Sequence, residues 1–194
     1  MTFDKDIKIK LAIAVIVIFL VIGYFHFGSK ALLYVKAKDE QFHLVRDLPD
    51  KEEAAKMLAE IKRRLKLLIK YCIQNNAGNP DIQLLSKRFN ENNIQETDLS
   101  DGGTSYSIDK GKEIHLCIRN KEDAKIHHIN LLMFVTIHEL AHIMSTSYGH
   151  NNEFGENFKY LLKQAVKTGV YQAVDYSKNA VKFCGMDVND NPLF

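Results

Sequence analysis

The chain has 194 residues, 46% of them apolar, with three prolines and ten glycines. That composition fits one modest globular domain and excludes collagen-like, mucin-like and fully disordered classes. The 26 basic and 24 acidic residues give a formal charge of +2; Lys5, Lys8, Lys10, Lys30, Asp4 and Asp6 fall within residues 1–30, so the remainder is balanced at 22 against 22 and carries no strong nucleic-acid signal.

Residues 11–29 contain no charged side chain and are dense in Ile, Val, Leu and Phe. As a helix, at roughly 1.5 Å per residue, these 19 residues would reach about 28 Å. Residues 1–30 are therefore expected to be a single-pass transmembrane anchor in contact with the lipid bilayer through residues 11–29. A signal peptide is the competing reading, since lysines precede the run, but no small-x-small cleavage site follows it. The positive-inside comparison does not decide the orientation, because lysines stand on both sides.

Beyond the anchor, alternating apolar residues predict a hairpin over 32–46, turned at Asp39 and Glu40. Asp50 with Glu53 reads as a capping box that opens a helix to about Gln74, with Ala54, Leu58, Ile61, Leu65, Leu68 and Cys72 on its apolar stripe. Lys62, Arg63, Lys66 and Lys70 lie largely off that stripe and read as a solvated basic face. A short helix follows Pro80, over about 81–88, and residues 89–103 read as polar loop. A second hairpin is expected from 104–108 and 113–119, and its edge could accept an extended peptide by strand addition. Cys72, Cys117 and Cys184 are odd in number and lack CxxC spacing; they read as buried free thiols, in agreement with a domain on the reducing side of a membrane.

Residues 131–145, LLMFVTIHELAHIMS, are apolar around nearly the whole helical circumference, as in a core helix. His138 and His142 stand one turn apart on one face of it, and Glu139 is turned by about 100° from His138. This HExxH spacing suits a zinc ion held by two neutral imidazoles, with a carboxylate beside the water that the ion acidifies. A catalytic site needs a third protein ligand. His150 is the favoured one, because Gly149 lets the chain bend back; Glu153 and Glu156 are the rivals, and they could instead serve the N-terminus of a second helix capped by Asn151 or Asn152. The competing structural reading is a core helix with two histidines hydrogen-bonded to backbone. His127 and His128 read as the solvated start of the helix. Tyr148, Tyr171 and Tyr176 are candidates for stabilising an oxyanion by their nearness in sequence.

The segments HELAH, GHNNEF and NFKYLL resemble the small zinc metallopeptidases of the WLM and SprT group. VRDLPDKEEAA, TSYSIDKG, HELAHIMS and the tail from Gly169 through FCGM are similar still more closely to WLM-like, membrane-anchored metallopeptidases of large double-stranded DNA viruses. The resemblance covers most of residues 42–194, though the interval from His142 to His150 is longer than in tighter members. It implies a minigluzincin-like α+β fold with a small antiparallel sheet, His138, His142 and His150 as zinc ligands, and Glu139 as general base. The expected protein is thus one transmembrane helix followed by a metallopeptidase-like domain over residues 31–194, acting on a protein or peptide substrate from a virion or host-cell membrane. Two alternatives are a membrane-anchored scaffolding protein that retains the peptidase fold, and a DNA-associated protease, which the balanced charge disfavours.

Overall fold

The computed structural model describes residues 5–28, 32–98 and 103–194. Helix α1 (Lys5–Gly28) is followed by strands β1 (Leu32–Lys36) and β2 (Phe42–Arg46), helices α2 (Lys51–Asn76) and α3 (Pro80–Arg88), and strand β3 (Ile94–Glu96). Strands β4 (Tyr106–Ile108) and β5 (Glu113–Leu116), helices α4 (Ile129–Met144) and α5 (Asn152–Lys167), and strands β6 (Val181–Phe183) and β7 (Met186–Val188) complete the order.

Among the described residues no helix is long and apolar enough to cross a membrane. This corrects the expected transmembrane anchor and, with it, the single-pass membrane location. Ser29 and Lys30, where the apolar run was expected to end, lie outside the described residues.

The protein is α+β, but among the described residues its strands form three small sheets rather than one antiparallel sheet. β1 and β2 pair antiparallel with Leu33 opposite Val45, and β6 and β7 pair antiparallel with Phe183 opposite Met186. The middle sheet has the order β3-β5-β4, with β3 parallel and β4 antiparallel to β5. β3 was expected to be loop. It is short and polar, and its Glu96 is buried by ion pairing rather than by apolar alternation. The expected loop's residues 99–102 lie outside the described residues.

α2 supplies one wall of the core through Ala54, Ala55, Leu58, Ile61, Leu65, Leu68 and Cys72, and packs on the β1–β2 hairpin and on α3, α4 and α5. Its start departs from the capping box: the Asp50 side chain makes no cap hydrogen bond, because its carboxylate accepts from Arg119. Cys117 and Cys184 form a disulfide with Cα atoms 6.4 Å apart, tying the segment after β5 to the turn of the β6–β7 hairpin. Two of the three cysteines are therefore not free thiols, and the reducing-side assignment built on them is withdrawn. Cys72 is the remaining thiol, and burial pushes its pKa up to about 11.

Candidate metal centre and cleft

α4 is the core helix its sequence announces, with ten of its sixteen residues buried. His138 and His142, like Val135, are partly exposed on its cleft side, and Glu139 is buried to 6% exposure. After α4 ends, Gly149 takes a left-handed φ of 80° that a side chain would resist. The chain turns back there, and Asn151 then caps α5 through its side chain, accepting from the Phe154 N–H.

The turn brings His150 onto the helix face. His138 Nε2 lies 3.2 Å from His142 Nε2 and 3.0 Å from His150 Nε2, and the three ring centroids form a nearly equilateral triangle with sides of 4.8–4.9 Å. A neutral imidazole has one in-plane acceptor site, so these nitrogens cannot satisfy one another by hydrogen bonding alone. Two nitrogens each about 2.0–2.1 Å from a tetrahedral cation stand about 3.3 Å apart, close to the spacing found here. The donor set therefore fits a metal ion, and all three residues can offer one ligand atom to it. Burial and the neighbouring imidazoles hold His138 at a pKa of about 3 and His142 at about 4, which leaves both neutral with lone pairs available near pH 7.

Phe154, in the first turn of α5, touches all three rings: it stacks on His142 at 4.3 Å and meets His138 and His150 edge-on at 4.8 and 4.7 Å. The rivals for third ligand are placed elsewhere. Glu156 is exposed. The Glu153 carboxylate accepts from Thr146 N–H at 2.6 Å, Thr146 Oγ1 at 2.8 Å and Ser147 N–H at 3.0 Å, and from the Ser147 hydroxyl. Glu153 thus holds the loop that carries His150, and these bonds hold its pKa down to about 2.

The imidazoles open onto a cleft of about 490 Å³ that Glu139, Tyr106, Ser107, Lys110 and Tyr148 also line. Burial raises Glu139 to about 7 against the opposing hydrogen bond from Ser107 on β4. β4 is one of the two edge strands of its sheet, and its Tyr106 and Ser107 line the cleft. The far wall comes from the β6–β7 hairpin through Phe183, Met186 and Val188. Of the three tyrosines singled out, Tyr148 alone lines the cleft; Tyr171 and Tyr176 are buried against Phe134. His128 caps α4, its Nδ1 accepting from the Asn130 N–H, while half-buried His127 packs against Phe183.

Two cations that sequence reading passed over anchor the end of α4. Arg88 donates through Nη1 to the carbonyls of Ile143 and Ser145, each at 2.8 Å. Lys110 donates to the carbonyl of His142 at 3.1 Å and to that of Ser147. Both offset the partial negative charge of a helix C-terminus. Lys110 reaches this position from a β4–β5 turn in which Asp109, Lys110 and Gly111 all have left-handed φ values of 45°, 56° and 102°. For Asp109 and Lys110 that conformation costs of order 1 kcal/mol each. The Ser-Ile-Asp-Lys-Gly stretch signals the turn, but nothing local shows that it meets α4.

Fold and site together define an α+β protein that presents three converging imidazoles and a buried carboxylate to one cleft. The chain is 34% identical over 165 residues to "Uncharacterized protein R325" of Acanthamoeba polyphaga mimivirus, a match covering 82% of this chain and 84% of that protein. It is 33% identical over 153 residues to "Uncharacterized protein 136R" of Invertebrate iridescent virus 6, covering 76% and 83%. The chain belongs to the family that these viral proteins form. A shorter match, 40% over 67 residues, joins it to "Uncharacterized protein 042R" of Invertebrate iridescent virus 3, over 34% of this chain and 42% of that one. No family profile and no solved structure matches the chain.

Proposed function

We propose that this protein is a WLM-like, zinc-dependent metallopeptidase that hydrolyses peptide or isopeptide bonds. The observation that carries this reading is the convergence of His138, His142 and His150 beside the Glu139 carboxylate in a cleft edged by β4. His138, His142 and His150 would hold the zinc, which when bound polarises a carbonyl oxygen and lowers the pKa of water. Glu139 is the general base: it takes the proton of the attacking water and passes it to the departing nitrogen. Ser107 holds that carboxylate from β4. The outer edge of β4 aligns an extended substrate by main-chain hydrogen bonds, and Tyr148 stands on the cleft wall where it can donate to the developing oxyanion.

The test measures zinc per chain by elemental mass spectrometry and cleavage of a peptide library, on the full-length protein and on His150→Ala and Glu139→Gln. The wild type should carry about one zinc, and His150→Ala much less. Glu139→Gln should keep its zinc and lose about 10²–10⁴-fold in rate. A folded wild type without zinc, or Glu139→Gln with full activity, would reject the reading.

A further inference from the structure

A second large cleft, of about 500 Å³, lies between the β1–β2 turn and the first half of α2, and shares no residue with the imidazole cleft. Five cations line it: Lys38, Lys56, Lys62, Arg63 and Lys66. Its three carboxylates are already engaged. Glu60 accepts from Arg63 at 2.7 and 2.9 Å and from Arg64 at 2.6 Å. Glu91 pairs with Lys66 at 2.8 Å, and Asp39 accepts from His43 Nε2 at 3.1 and 3.2 Å and from the Gln41 N–H at 3.1 Å.

Among the described residues, the ion pairs leave out Lys38, Lys56 and Lys62. Lys62 is the notable one. It sits in the middle of α2, is only 7% exposed, and contributes to the cleft wall. Asp39 and Glu91 act on it only through space, and burial holds its amine below the usual lysine range. Holding an ammonium in this largely buried wall without a bonded counter-charge is unfavourable, and an anion in the cleft offsets part of that cost.

We propose that this cleft binds a small phosphate-bearing anion, with Lys62 in its wall and Lys38 and Lys56 closing over it. Lysine ammonium groups are compact point charges with three donors each, suited to phosphate oxygens that present several acceptors. A cleft of this volume has room for a diphosphate with or without an organic group. No aromatic side chain lines it, so the phosphates rather than a stacked ring supply the affinity.

The experiment is isothermal titration of the full-length protein with pyrophosphate and, separately, with ADP, at constant ionic strength. Wild type, Lys62→Met and the double variant Lys38→Met/Lys56→Met are compared, with zinc content followed in each. Saturable binding by the wild type is expected, weakened about tenfold or more in Lys62→Met. The double variant should weaken it as well, and because Lys38 and Lys56 are exposed this arm holds if Lys62→Met does not fold. Similar affinity for the two probes identifies the diphosphate itself as the ligand group, and tighter ADP binding extends the site to an organic diphosphate. Absence of saturable binding by the wild type would overturn the proposal. So would equal binding by all three proteins, since the anion would then sit elsewhere.

Discussion

Arg119 and His138 are both polar side chains set among apolar neighbours, and they are satisfied in opposite ways. Arg119, at 2% exposure, donates through Nε to Glu96 at 2.8 Å and through Nη1 to Asp50, while the second oxygen of Glu96 accepts from the Arg46 N–H at 2.8 Å. Charges of both signs meet inside the protein, and the cluster stitches the start of α2 to the middle sheet. His138 has two further imidazoles at 3.0 and 3.2 Å, with no counter-charge among them. The first cluster is closed by the chain itself apart from one guanidinium nitrogen, Nη2, that has no partner. The second gathers three ring nitrogens that cannot all satisfy one another, which is how a candidate ligand set differs from a closed structural network.

Breaking the closed cluster should have the largest effect. Arg119→Met takes away the cation bonded to Glu96, leaving it the Arg46 N–H and the charge of Arg46, and should cost about 3 kcal/mol in urea denaturation, the low end for breaking a buried pair by removing one partner. The double variant Arg119→Met/Glu96→Gln should regain part of that loss. A single variant as stable as the wild type would mean that water already satisfies Glu96, and the contrast between the two clusters would fail.

A smaller effect sharpens the contrast from the side of the imidazoles. Lys110→Met removes the donor to the His142 and Ser147 carbonyls but leaves Arg88 on those of Ile143 and Ser145. The helix should persist while the loop before His150 loosens, so zinc affinity in a chelator competition should fall about 10–100-fold. The urea midpoint should move little. A variant that loses stability while keeping zinc affinity would make Lys110 a helix cap alone.

The two regions were not equally legible in the sequence. The imidazole site was readable because its parts are local: i and i+4 histidines on an apolar helix, a glycine to reverse the chain, and an asparagine to start α5. The β1–β2 hairpin, α2 and α3 were likewise visible in short-range periodicity. The Arg119 cluster was not, because Asp50, Glu96 and Arg119 come from three distant segments and only the fold joins them. For the same reason Asp50 was read as a side-chain cap and β3 as loop. The Cys117–Cys184 disulfide spans 67 residues and leaves no local pattern. The transmembrane reading came from a charge-free run dense in Ile, Val, Leu and Phe, but among the described residues no helix is long and apolar enough to cross a membrane.

Glu153 shows how a residue read as a rival ligand acts on the site through its own hydrogen bonds, and it gives the smallest of these effects. Its carboxylate collects four donors from Thr146 and Ser147, four and three residues before His150. Those donors favour the ionised form and hold its pKa at about 2 against an ordinary 4.5. A carboxyl group whose pKa is lower in the folded state contributes its stability in full above the unfolded value and loses it as the pH falls through the folded one. The loop clamp should therefore weaken between about pH 4.5 and pH 2. His138 and His142 take up protons in an overlapping range, so the measurement is the difference in melting temperature between wild type and Glu153→Gln across a pH series. That difference should favour the wild type near neutrality and shrink toward zero as the pH falls to about 2. A difference independent of pH would mean that Glu153 holds the loop by shape rather than by charge, and the turn carrying His150 would then owe its position to Gly149 and the Asn151 cap.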